Sequence, residues 1–192
     1  MMKIVLASSS PRRRQLLEWA ELDFDILSRE TPETFPDGLN KEEIAMYIAR
    51  QKALAVQGLD LYKRYEANTP ILAADTMVLL DGKIMGKPES KEDAIQMLTA
   101  LSGKKHEVIT GVVILSANKE ISFYDVTEVE FHPIDGEDIR YYVDKYLPLD
   151  KAGAYAIQEW IGVIGIKSVL GDFYNVMGLP VSLVLRTLRD HF

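Results

Sequence analysis

A mixed α/β fold is predicted by three features of the chain. Apolar runs of strand length alternate with segments whose apolar residues recur at helical spacing. One run, Pro70 to Leu80, is almost continuously apolar, as in a strand covered on both faces. Asp81-Gly82 directly after it is a strong hairpin signal, and hairpins exclude a purely parallel doubly wound sheet.

Each element has a local reason. Lys3 to Ala7 is a short apolar strand, followed by Ser8-Ser9-Ser10-Pro11. Leu16, Leu17 and Ala20 then mark a helix over Arg12 to Leu22, with Ser10 as its N-cap and Pro11 at the first helical position. Phe24 to Leu27 is a second strand, leading into an acidic, proline-bearing loop from Arg29 to Gly38. Asn40 and Glu43 form a capping box for a helix running to about Gln57. Ile44 and Ile48 define its buried face, and Lys52 is the next residue at that spacing.

After the strand Pro70 to Leu80, Lys83 to Met85 is the returning strand. A two-residue loop, carried further, sets Lys87 opposite Thr76 and Pro88 opposite Asp75, roughly 5 Å apart at Cβ. Gly86 and Pro88 are positioned to bend the strand before that point. Ser90 caps the next helix with Asp93 as its box partner, and Ser102-Gly103 end it. His106 to Ala117 and Ile121 to His132 are strands, and Gly136 to Lys145 is helical. Short strands follow around Ala154 to Gln158 and Val163 to Val169. A loop spans Gly171 to Leu179, and a last helix starts at Pro180.

The 192 residues suit one domain over 1–192, with no repeat, linker or low-complexity tract. The chain is 47% hydrophobic and 27% charged, which is ordinary for a globular protein. Its net charge of −7 argues against generic binding to a nucleic-acid backbone, which wants a broad basic surface. It has no cysteine, which excludes disulfides and thiolate metal sites and suits a reducing compartment. The apolar start is too short for a signal peptide, and no stretch is long enough for a membrane span. A cytoplasmic location is expected.

Three groups of residues could carry chemistry. Ser8, Ser9, Ser10, Pro11, Arg12 and Arg13 sit at a strand-to-helix turn, where two arginines in the first helical turn oppose the helix dipole. They are either a capped helix with solvated arginines or a phosphate cradle of backbone N–H groups, the Ser8 and Ser10 hydroxyls and guanidinium forks. Asp75 is a lone carboxylate inside an apolar strand, and burying it requires a partner or a metal. It is either a structural loop cap or a metal ligand and general base. Glu33 is a second carboxylate or a solvated surface charge. Lys52 and Lys87 snorkel from apolar surface or, with Arg12 and Arg13, neutralise a polyphosphate. His106, His132 and His191 lack zinc-ligand spacing, and no Walker lysine motif or dinucleotide fingerprint is present.

Six segments, in this order, resemble the Maf family: Ser8 to Arg13 (SSSPRR), Ala74-Asp75-Thr76, Gly86-Lys87-Pro88, Leu101 to Val108 (LSGKKHEV), Asp150 to Gln158 (DKAGAYAIQ) and Asn175 to Pro180 (NVMGLP). Each alone is weak, but together they span residues 8–180 and are specific. The resemblance implies an elongated sheet flanked by helices, related to the inosine triphosphate pyrophosphatases, with a cleft between two lobes and a homodimer. It implies hydrolysis of nucleoside triphosphates between the α and β phosphates, with a divalent cation, Mg2+ or Mn2+. By motif, Asp75 would activate water, while Arg12, Arg13, Lys52 and Lys87 would hold phosphates. Glu33, with Glu30 as competitor, would join Asp75 at the metal.

Arg12, Thr76 and Gln158 resemble the specificity positions of the branch acting on dTTP and UTP. A glutamine amide can donate to and accept from a pyrimidine edge at once. Glu159-Trp160 stand where a glycine usually follows that glutamine, and these side chains could reshape the base pocket. The alternatives are a nucleotide-binding regulatory module linked to cell division, or the same reaction on 7-methyl-GTP.

Overall fold

The computed structural model describes residues 2–192. Seven strands form one mixed sheet: β1 (Ile4–Leu6), β2 (Phe24–Ile26), β3 (Ile71–Leu80), β4 (Lys83–Met85), β5 (Lys105–Leu115), β6 (Glu120–Phe131) and β7 (Ile166–Leu170). Their order is β2-β1-β3-β5-β6-β7, with β4 paired to β3. β1 runs parallel to β2 and β3, while β3–β4 and β6–β7 are antiparallel. The helices are α1 (Pro11–Trp19), α2 (Lys41–Gln57), α3 (Lys91–Leu101), α4 (Gly136–Tyr146), α5 (Trp160–Gly165), α6 (Phe173–Met177) and α7 (Val181–His191). The mixed α/β fold expected from the sequence is the one observed. None of these helices is long and apolar enough to cross a membrane.

The chain forms two compact units. The first holds the residues up to Asp75, Thr110–Asp125 and Gly178–Phe192; the second holds Thr76–Ile109 and Val126–Met177.

In the first unit, α2 is started by the capping box. The Asn40 side chain accepts from the Glu43 N–H at 2.8 Å, and the Glu43 carboxylate accepts from the Asn40 N–H at 2.9 Å. Ala45, Ile48, Ala49, Ala53 and Val56 form its buried stripe. At Gly111 of β5 the helix backbone comes so near that a Cβ would lie 2.3 Å from the Ala45 carbonyl carbon. Only glycine allows that approach. Ala49, Ala53 and Val56 pack with Val5 and Ala7 of the first strand segment, Ile71 and Ala73 of β3, and Val113 and Leu115 of β5. Residues of one strand face recur every second position, so Ile71, Ala73 and Asp75 share the face that α2 covers.

In the second unit, α3 packs on α4. Around them Leu98, Leu101, Ile109, Phe131, Ile139, Tyr142 and Val143 are buried. Ser90 accepts from the Asp93 N–H at 3.1 Å, but the Asp93 carboxylate accepts from Glu89 rather than from Ser90. The hairpin has the expected register, Leu80 opposite Lys83 and Val78 opposite Met85. The ladder ends there, so it does not carry Lys87 to a place opposite Thr76.

Four expected elements differ. The first helix stops at Trp19 instead of Leu22, and Glu21 follows at φ +53°. Ala154 to Gln158 is not a strand: Ala152–Ala154 form a 3-10 turn in which Gly153 and Ala154 have φ values of +66° and +59°. Left-handed residues cannot continue an extended chain. The strand expected from Val163 begins only at Ile166, because Trp160–Gly165 are helical. Glycine spacing, not apolar alternation, decides that segment: a Cβ at Gly162 would lie 1.8 Å from the Ile157 carbonyl oxygen. The loop Gly171 to Leu179 contains the short helix α6.

Candidate active site

Lys52 is the centre of the first unit's charge cluster. Its place on the buried stripe of α2, beside Ala49 and Ala53, aims its stem at the β3 face that carries Asp75. Its ammonium donates to Asp75 Oδ1 at 2.6 Å and to Glu33 Oε1 at 3.0 Å. The lone carboxylate of the apolar strand is therefore paired, which is what its burial requires. Of the two glutamates in the acidic loop, Glu33 is the one bonded to Lys52. The Lys52 side chain is 19% exposed and that of Asp75 12%, whereas Glu33 is 48% exposed.

The serine-rich turn is ordered by its own side chains. Ser10 caps α1 by accepting from the Arg13 N–H at 3.4 Å, and Pro11 opens the helix as expected. The buried Ser8 hydroxyl accepts from the Ser10 N–H at 3.2 Å and from Arg13 Nη1 at 3.3 Å. Arg13 is not a solvated arginine. Its guanidinium is buried, and Nε donates to the Gly178 carbonyl at 2.8 Å. Burial lowers its pKa from the ordinary arginine value, with Asp75 and Glu33 acting against that and Arg12 with it. Arginine stays protonated through such shifts, so Arg13 is a fixed positive charge among these groups. Arg12 is half-buried.

In the second unit, Thr76 follows Asp75 on β3 and is half-buried, while Lys87 and Gln158 are exposed. The segments that carry the last two are joined, because the Gly153 N–H donates to the Gly86 carbonyl at 3.1 Å. Glycine is favoured at 153: besides its positive φ, a Cβ would sit 3.0 Å from Val78 Cγ1. Tyr155 is buried and shares a 2.7 Å hydrogen bond with His106 Nε2. Burial pushes the Tyr155 hydroxyl pKa up and brings that of His106 down to about 4. Asn175, wholly buried, donates to the Val108 carbonyl and to the Thr127 hydroxyl. Several motif residues thus latch one motif to another: Arg13 to Gly178, Gly86 to Gly153, His106 to Tyr155, and Asn175 to Val108.

Sequence reasoning missed a second charged group. Lys151 is buried, with its ammonium 2.8 Å from Asp150 and 3.6 Å from Glu159. Glu159 also accepts from the Tyr142 hydroxyl. The available signal was a lysine next to the small and aromatic run Ala152 to Ile157, where a long charged side chain has little water to reach.

The fold also occurs in a solved structure. The Staphylococcus aureus Ham1 protein aligns over 99% of this chain and 100% of its own, with a TM-score of 0.54 at 18% identity. That likeness shows the fold. The sequence shows the family: the chain belongs to the Maf family, with residues 3–191 matching the Maf-like protein pattern. It is 45% identical over 188 residues to the dTTP/UTP pyrophosphatase of Bacteroides thetaiotaomicron, covering 97% of this chain and 95% of that protein. It is 49% identical over 189 residues to the dTTP/UTP pyrophosphatase of Cytophaga hutchinsonii, covering 98% and 84%.

Proposed function

We propose that this protein hydrolyses nucleoside triphosphates, dTTP and UTP foremost, to the monophosphate and pyrophosphate. The observation that carries the reading is the Glu33–Lys52–Asp75 cluster, two carboxylates converging on one cation beside buried Arg13. The likeness to dTTP/UTP pyrophosphatases that align over 95% and 84% of their own lengths supports it.

The residues fit a divalent cation. Magnesium is held by one or two carboxylates and completes its shell with phosphate oxygens and water. Glu33 and Asp75 would supply two such carboxylates, and their shared bonding to the Lys52 ammonium supports this by bringing both to one positive group. Among the described residues no three or more His, Cys, Asp or Glu side chains gather, so the other ligands would be phosphate and water. Mg2+ or Mn2+ held there would offset the charge of the phosphates.

Asp75 takes a proton from water as the water oxygen bonds to the α phosphorus. The bond from that phosphorus to the α–β bridging oxygen breaks, and pyrophosphate leaves with the bridging oxygen. Lys52 releases the carboxylates and follows the negative charge to the phosphates, where Arg12, Arg13 and Lys87 also act. The Ser8 and Ser10 hydroxyls order the arginine-bearing turn. Gln158, with Arg12 and Thr76, selects the base. We place the enzyme in the cytoplasm, as a homodimer; its lack of cysteine suits the former, and exposed Val163, Leu170 and Tyr174 suit a subunit contact.

The test is product analysis with Mg2+ against dTTP, UTP, CTP, GTP, 7-methyl-GTP and ITP, for the natural protein and Asp75→Asn. Pyrophosphate with dTMP or UMP, lost in the variant, is expected. Pyrophosphate from 7-methyl-GTP instead would keep the chemistry and remove the pyrimidine assignment. Binding without turnover, with Mn2+ as with Mg2+, would leave a regulatory nucleotide-binding module.

A further inference from the structure

Gln158 is exposed, yet the turn beneath it is fixed on both sides. Before it, the Ala156 N–H donates to the Tyr142 hydroxyl at 3.3 Å. After it, that same hydroxyl donates to Glu159 Oε2. One buried phenol on α4 therefore ties together the residues two before and one after the glutamine. Lys151 approaches the other Glu159 oxygen at 3.6 Å. The backbone adds to this: the Glu159 N–H donates to the Ala156 carbonyl at 3.0 Å, and the Glu159 carbonyl accepts from Gly162 at 2.9 Å and Val163 at 3.2 Å. Trp160 meets Tyr141 of the same helix α4 edge-on, with ring centroids 4.9 Å apart.

We infer that Glu159 is a positioning residue, gripping Tyr142 and Lys151 so that the turn presents the Gln158 amide in one place and sharpens the choice of base. This rests on the reading of Gln158 as the base-selecting residue. The physical reason is preorganisation. With its turn immobilised, Gln158 has only side-chain torsions to order when a base arrives, and an amide that must donate and accept at once tolerates little displacement. A glycine at 159 would remove both the acceptor for Tyr142 and one of the two carboxylates beside Lys151. The turn would keep its backbone bonds and the single bond from the Ala156 N–H to the Tyr142 hydroxyl, with nothing holding the phenol from the Glu159 side.

The experiment compares kcat and KM for dTTP, UTP and CTP in the natural protein, Glu159→Ala, Glu159→Gln, Tyr142→Phe and Gln158→Ala, with thermal unfolding of each. Glu159→Ala and Tyr142→Phe are expected to raise KM for dTTP more than they lower kcat. Both should reduce the dTTP-to-CTP ratio of kcat/KM about tenfold. Glu159→Gln keeps an acceptor for the phenol and should recover most of that ratio. Tyr142→Phe carries the test if Glu159→Ala does not fold. Lower unfolding temperatures with an unchanged ratio in both variants would overturn the inference, leaving a purely stabilising network. If the ratio falls in Gln158→Ala alone, the inference fails and the base reading stands. If it is unchanged in Gln158→Ala as well, the base reading fails with it.

Discussion

Two lysines in this chain each hold two carboxylates, and their surroundings make them different devices. Lys52 bridges Asp75 and Glu33, and every partner in that contact is itself an ion. Lys151 bridges Asp150 and Glu159, but Glu159 is also bonded to a neutral phenol that reaches into the backbone. A cluster of ions shares one exchangeable positive centre, so a second cation or a phosphate can rearrange it. A cluster tied to backbone has no such freedom and instead fixes what lies beside it. On the proposed function, similar residue types serve reaction in one unit and placement in the other.

The sharpest way to break that contrast is Asp75→Asn. It keeps shape and one hydrogen-bond acceptor while removing the proposed base, and turnover should fall by about a thousandfold or more. Nucleotide binding, followed by calorimetry, should largely persist. Lys52→Met removes the exchangeable cation, and kcat/KM should drop about a hundredfold. Two carboxylates would then share no positive partner from Lys52, so added Mg2+ should raise the unfolding temperature of this variant more than that of the natural protein. Equal shifts in the two would show that the carboxylates do not bind the ion together.

The second unit should respond through stability. His106 is buried, and its pKa lies at about 4 against 6.5 for a free histidine. Between those values the unfolded chain binds a proton that the folded one does not, so stability falls as pH drops from 6.5 towards 4. Roughly 3 kcal/mol is lost across that window, and the slope flattens below it. Urea unfolding of the natural protein and His106→Phe between pH 4 and 7 isolates this share. Gly153→Ala should cost about 1–3 kcal/mol through its positive φ and the contact with Val78, read in the same unfolding assay. The smallest effect is expected from Gln158→Ala, about tenfold in base ranking with the chemistry retained.

Where a sequence signal was local, it was legible. The capping box at Asn40, the cap at Ser10, the Asp81-Gly82 turn and the fully covered strand β3 follow from short-range rules, and all are present. Lys52 stood out as a lysine on an apolar stripe, and its contact with Asp75 accounts for both anomalies. The segment 152–165 was not legible, because its conformation depends on close approaches. Gly153 against Val78, Gly162 against Ile157 and Gly165 against Ile134 are decided by neighbours that periodicity does not report. Its apolar residues read as strand, and the glycines turn them into a 3-10 turn and a short helix. The support for Gln158 was hidden for the same reason, since Tyr142 lies on a helix that carries none of the motifs.

The most direct test of the account is to run the reaction on dTTP in oxygen-18-labelled water and locate the label by phosphorus NMR. Attack by water on the α phosphorus predicts label in dTMP and none in pyrophosphate, with the signal abolished by Asp75→Asn. Label in pyrophosphate, release of orthophosphate as the first product, or full turnover by Asp75→Asn would contradict it.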